Sequence, residues 1–202
     1  MTLGRPGGLS VPIFLRRVQK GFPLQSLTQN LASLIKSSKC KPNFQMKITL
    51  ITLGKTEEKY LLEGIEKYIK RLKHYVPFKI IDIPELKNTK SLSLEQQKTK
   101  EAELFLKNIS SQDVVILLDE KGLEFTSISF SQFLNKKMVG GVQNLVFLVG
   151  GPYGFDKTIY DRANDKIALS KMTFSHQMIR LFFVEQIYRA FTILKGEPYH
   201  HE

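Results

Sequence analysis

From residue 46 onward, short apolar runs alternate with longer stretches whose apolar residues recur every three or four positions. "ITLITLG" (48–54) is apolar and rich in β-branched residues, the composition of a buried strand. "TEEKYLLEGIEKYIKRLKHYV" (56–76) then sets Leu61, Leu62, Ile65, Tyr68, Ile69, Leu72 and Val76 at helical spacing. Thr56 is positioned to cap that helix, with Glu57 and Glu58 in its first turn. "FKIIDI" (78–83) predicts a second strand ended by Pro84, and "SLEQQKTKEAELFLKNI" (93–109) a second helix on a polar, exposed pattern. "DVVILLD" (113–119) is apolar on both faces, as a central parallel strand must be. A short helix (127–138), the strand "NLVFLV" (144–149) and another short helix (156–164) follow. The strand "KIALS" (166–170) precedes a long last helix, 175–196, which ends at Gly196. Alternation of this kind predicts an α/β layer on a mostly parallel sheet of five or six strands, with helices on both faces.

Composition changes the picture mainly at the N-terminus. The first 45 residues carry seven Lys or Arg and no acid, and they are rich in Gly, Pro and Ser without a sustained period. That leaves 23 basic and 19 acidic residues for 46–202, a net of +4 out of the chain's +11. The expected division is therefore a basic, disordered extension over 1–45 and one folded domain over 46–202. Met46 stands immediately before the first strand, which favours an unused upstream start; a transit-like segment and a basic arm touching RNA are the other readings. "VPIFL" is too short for a secretory core. The mild surplus on the folded part supports an anionic partner only weakly. One cysteine, Cys40, excludes a disulfide framework and suits a reducing compartment, so a cytoplasmic location is expected. No apolar run reaches the roughly 18 residues a bilayer demands.

In open α/β sheets, ligands lie beyond the carboxyl ends of the strands. Three ends stand out: "LLDEKG" (117–122), "LVGGPYG" (148–154) and "ALSKMTF" (168–174). A glycine pair after a strand can be an ordinary tight turn. Phosphate cradles are excluded directly, because Gly150 begins neither G-x-x-x-x-G-K-[ST] nor G-x-G-x-x-G. What is left is a pocket read through main-chain groups and apolar contact, suited to an adenosine without phosphates.

The last helix adds side chains. At 100° per residue, Glu185, Arg189 and Thr192 fall within about 60° of one another as a polar stripe. A solvated Glu185–Arg189 bridge and a catalytic pair are both open readings. Arg180 points the other way, among Leu181, Phe183, Val184, Ile187 and Phe191, where a cation is expensive unless it meets an anion. It reads either as a clamp for phosphate or carboxylate or as a guanidinium reaching round to solvent. Apolar residues wrap most of the helix, which predicts burial on several sides and, from that, a homodimer. The tail "KGEPYHHE" has adjacent histidines, but no further Cys/His cluster makes a metal site, and no metal is expected. It is either a frayed terminus or a set of stackable groups for a nucleobase.

Taken together, "MKITLITLGK", "LVFLVGGPYGF" and "ALSKMTFSHQMIRLFFVEQIYRAFTILKGEPYHHE" resemble the RlmH family of bacterial methyltransferases, in the SPOUT superfamily. The likeness spans residues 46–202 with all blocks in order. It implies a SPOUT-type α/β fold with a C-terminal trefoil knot, and S-adenosyl-L-methionine as cofactor. It further implies N3 methylation of a pseudouridine in 23S rRNA on the assembled ribosome, by a homodimer with the substrate site at the subunit junction and no membrane partner. Carried over by motif, the cofactor-binding positions are Leu118, Gly150, Leu169, Ser170, Lys171, Met172, Thr173 and Phe174. The glycines would let the main chain close around the adenosyl group. Candidates for handling the N3 proton or the anionic ring are His176, Arg180, Tyr199 and His200. Two rivals remain: a dehydrogenase on a doubly wound sheet, and a non-catalytic ribosome-binding protein of the same fold.

Overall fold

The structure, a computed structural model, describes residues 46–200. The extension over 1–45, and His201 and Glu202, lie outside the described residues. Five strands form one parallel sheet: β1 (Lys47–Leu53), β2 (Phe78–Ile83), β3 (Val114–Glu124), β4 (Asn144–Val149) and β5 (Asp165–Ala168), in the order β2-β1-β4-β3-β5. Five helices cross between and after them: α1 (Lys59–Leu72), α2 (Leu94–Leu106), α3 (Ser127–Val139), α4 (Lys157–Arg162) and α5 (Met178–Leu194).

Alternate residues of the strands feed two cores. Ile48, Leu50, Ile116, Phe147 and Ile167 pack with Ile65 and Leu72 of α1, Leu134 of α3 and Phe183, Val184 and Ile187 of α5. Ile51, Leu53, Val115, Leu117 and Leu148 face Ala102 and Phe105 of α2 and Ile159 of α4. Helices thus cover both faces, as expected of a buried parallel sheet. Each fully buried Leu, Ile or Phe contributes about 1.5–3 kcal/mol, so the fold is held chiefly by these two layers.

Several local expectations change. Helix α1 starts at Lys59, after Glu58, and Thr56 does not cap it; neither acid lies in its first turn. The Thr56 hydroxyl instead accepts from Arg180, while the free amides of Glu57 and Glu58 donate to Gln177 Oε1 at 3.0 and 3.4 Å. Helix α2 is not merely an exposed polar helix: it buries Glu101, Ala102 and Phe105 and is started by a Ser93–Gln96 capping box.

Helix α5 is wrapped largely by its own chain, packing on the sheet and against both α1 and α3. Its apolar circumference therefore does not by itself require a partner subunit. Thr192 is no part of an outward stripe either; it is fully buried, with its hydroxyl donating to the Arg189 carbonyl at 2.7 Å.

The largest departure is in β3, which runs five residues beyond the expected end. Leu118 and Leu123 both stand opposite Ile167, so residues 119–122 loop out and the chain returns to the same partner. Gly122 makes the return feasible. A Cβ there would sit 2.5 Å from the Ile167 main chain and 2.7 Å from Ala168 N, distances no side chain tolerates.

Candidate active site

Strand register alone brings the three expected strand ends together. Leu118 stands opposite Val149 on one side and Ile167 on the other, so Gly150 and Leu169 emerge next to it. With strands about 4.8 Å apart, the following loops wall a single cleft of about 790 Å3. That volume falls within the ~300–1,000 Å3 of small-molecule sites. Seven of the eight positions expected to bind the cofactor line it: Leu118, Gly150, Leu169, Ser170, Met172, Thr173 and Phe174. Lys171 does not; its ammonium is exposed and lies 3.7 Å from Glu124. The 169–174 segment is turned by Ser170, whose Oγ accepts from Met172 N at 2.9 Å.

The glycine pair also meets side chains of its own chain. The space a Cβ would need at Gly150 is taken by the Phe155 ring, 3.1 Å away, and at Gly151 by the Glu101 carboxylate at 3.0 Å. The chain's own side chains close on these glycines first. Gly151 to Gly154 then form a tight turn, with Gly154 N donating to Gly151 O at 3.1 Å and Gly154 at φ +75°.

The proton-handling candidates separate. His176, an exposed residue, lines the cleft. Arg180 does not reach it: the guanidinium is buried, Nη2 donates to the Leu53 carbonyl at 2.6 Å and Nη1 to Thr56 Oγ1 at 3.0 Å. Burial pulls its pKa below the usual arginine value, against the opposing pull of Asp82 and Glu85. The anchored side chain touches neither solvent nor a free anion.

Tyr199 and His200 lie outside the cleft. Tyr199 is not frayed. Its hydroxyl donates to Glu185 Oε1 at 3.0 Å and meets the Tyr68 hydroxyl at 3.3 Å, its ring meets Tyr188 edge-on, and the Arg189 guanidinium lies 4.7 Å from its centroid. Burial, then the Tyr68 and Glu185 contacts, push its pKa well above the ordinary tyrosine value. The Glu185–Arg189 pair, 2.6 Å apart and largely buried, thus seats the C-terminal tail.

Two groups in the cleft wall escaped the sequence reading. Asp119, in the β3 loop, accepts from the Tyr160 hydroxyl of α4. Only "LLD" at a strand end hinted at it, and its partner lies 41 residues away. Burial, followed by the Asp119 bond, pushes the Tyr160 pKa up to about 12. A raised pKa keeps the hydroxyl neutral in the folded chain while the unfolded tyrosine ionises from about pH 10. The resulting stability is complete below pH ~10 and is lost as pH rises through about 12. Urea titrations of Tyr160→Phe are therefore expected to show a shallower fall in stability across that window. A slope equal to that of the parent protein would refute the coupling.

Among the described residues, no cluster of three or more His, Cys, Asp or Glu is arranged to hold a metal ion, and no helix is long and apolar enough to cross a membrane. A family model described as "Predicted SPOUT methyltransferase" matches residues 46–200. Proteins named "Ribosomal RNA large subunit methyltransferase H" are similar over nearly the same span. That of Parabacteroides distasonis is 60% identical over 157 residues, covering 78% of this chain and 100% of the relative. Those of Cytophaga hutchinsonii (58%, 77% of this chain, 100% of the relative) and Flavobacterium johnsoniae (57%, 78% and 100%) are comparable. A five-stranded parallel sheet, three strand ends meeting in a cleft without a phosphate cradle, and a match along the whole described chain agree: this chain belongs to the SPOUT methyltransferase family.

Proposed function

We propose that the protein transfers a methyl group from S-adenosyl-L-methionine to N3 of a pseudouridine in large-subunit ribosomal RNA, acting as a homodimer on the assembled ribosome in the cytoplasm. The observation that carries the reading is the meeting of Leu118, Gly150 and the 169–174 loop in one cleft. Its walls combine main chain and apolar side chains with neutral polar ones such as Tyr160, Ser170 and Thr173, and its few charges, Lys98, Lys121, Asp119 and Glu120, are balanced. Such a lining fits a phosphate-free adenosyl group. The C-terminal trefoil knot belongs to the same reading.

The bound cofactor supplies a methyl group on a cationic sulfur, already activated for attack. The residues of the chain therefore have two tasks. The first is alignment, worth several kcal/mol when a nucleophile is held in line. The second is the N3 proton, which must leave the ring for a base or be made acidic by nearby donors. His176 is the candidate best placed for it, because it lines the cleft and Arg180, Tyr199 and His200 do not. Tyr199 and His200, outside their own cleft, are assigned to the site of the facing subunit. Exposed Met172, Tyr153 and Phe182, at 76%, 48% and 44%, give the surface beside the cleft the apolar character a subunit contact needs.

His176→Ala, assayed at saturating cofactor, is expected to lower methyl transfer about 100-fold; unchanged turnover removes His176 from the reaction. The whole reading is tested with labelled cofactor offered to ribosomes and to free rRNA, followed by nucleoside mass analysis. Label in N3-methylpseudouridine from ribosomes alone is the expected result. Ribosome binding with no change in nucleoside mass would favour the non-catalytic reading.

A further inference from the structure

Beside the main cleft, on its β1 side, lies a smaller cavity of about 200 Å3. Gly150, Gly151, Pro152 and His176 line both, so the two spaces adjoin at the end of β4. The smaller one is walled by Leu53 at the end of β1, by Glu85 after β2, and by Gln97 and Glu101 of α2. Glu101 is the unusual group. It is only 8% exposed, and no cation lies within ion-pair distance of it among the described residues. Gln97 Nε2 donates to its Oε1 at 2.8 Å. Its Oε2 faces Gly151, close enough that a Cβ there would come within 3.0 Å; it accepts from no donor among the described residues and is open to the cavity.

A buried carboxylate without a counter-charge is costly, and it is retained where a cation or strong donor completes it. Three classes of occupant can be compared by charge. A phosphate is repelled by Glu85 and Glu101 together. A metal ion lacks a third converging ligand among the described residues. A primary ammonium brings three N–H donors and one positive charge, and it needs little room.

We propose that this side cavity holds the α-ammonium group of the cofactor's amino-acid end, with Glu101 Oε2 as its principal acceptor, Gln97 fixing the Glu101 carboxylate, and the cofactor's own α-carboxylate kept on the main-cleft side, which Lys98 lines. The inference rests on the cofactor reading above. It makes Glu101 a cofactor-binding residue and gives the cavity a selectivity: ligands carrying the amino-acid chain gain a charge-assisted hydrogen bond that a bare adenosyl thioether cannot make.

Calorimetric titration separates the possibilities, using S-adenosylhomocysteine, which has the amino-acid chain, and 5′-methylthioadenosine, which lacks it. In Glu101→Gln the first is expected to bind about 10- to 100-fold more weakly, and the second with unchanged affinity. Glu101→Asp, which keeps the charge but withdraws it, is expected to fall between, and serves should the Gln variant fail to fold. Equal losses for both ligands would mean that Glu101 only supports the fold, and the proposal fails. Unchanged binding of both with reduced methyl transfer would give the cavity to the target base, and the proposal also fails. If the parent protein binds neither ligand, it is the cofactor reading itself that falls.

Discussion

Gly122→Ala is expected to lose about 3 kcal/mol of stability or more and to abolish binding of S-adenosylhomocysteine. The added methyl would meet Ile167 C and N at 2.5 Å and Ala168 N at 2.7 Å. All three are main-chain atoms of a sheet strand, so no flexible side chain can give way. Relief requires residues 119–124 to lift from β5, and the pairings Leu123↔Ile167 and Glu124↔Ala168 go with them. Leu118 and Leu169, which flank that contact, are two walls of the cleft. Urea unfolding reads the stability and calorimetry the binding. A loss below about 1 kcal/mol, with binding intact, would show that the 119–122 loop does not pass as closely as described.

The same contact shows where sequence reasoning stops. All five strands were legible because a parallel sheet covered on both faces needs continuous apolar runs, and "ITLITLG", "VVILL" and "NLVFLV" supply them. The strand ends of the cleft were legible for the same reason. The return of β3 to Ile167 was not, since what Gly122 touches is the main chain of a strand some 45 residues on, which carries no side-chain signature. Glu101 was hidden differently. Helix α2 buries only Glu101, Ala102 and Phe105, too few to raise an apolar stripe above its polar background. The tail looked free because Tyr199 finds Tyr68 across 131 residues, a pairing no local period can announce.

Arg180 was the sharpest ambiguity in the sequence, and substituting it carries the second large effect. Arg180 is 1% exposed, and its guanidinium spans the end of β1, holding the Leu53 carbonyl with one nitrogen and the Thr56 hydroxyl with another. Its Nε has no hydrogen-bond partner among the described residues, so the site already tolerates one unmet donor. Leucine would spare the desolvation of a charge but strand the Leu53 carbonyl and leave Asp82 and Glu85 without their nearby cation. Breaking one side of a buried polar arrangement costs more than replacing the whole by apolar groups, about 3 kcal/mol or above. Arg180→Leu is therefore expected to shift urea unfolding by that amount. In Arg180→Lys the single ammonium reaches Leu53 or Thr56 but not both, and about half the loss is expected. Because the arginine lies outside the cleft lining, the folded fraction of either variant is expected to bind S-adenosylhomocysteine as the parent does. A Lys variant as stable as the parent yet unable to transfer methyl would reverse the assignment, making Arg180 a group that acts on substrate and not the brace that ties α5 to the end of β1 and the loop after it.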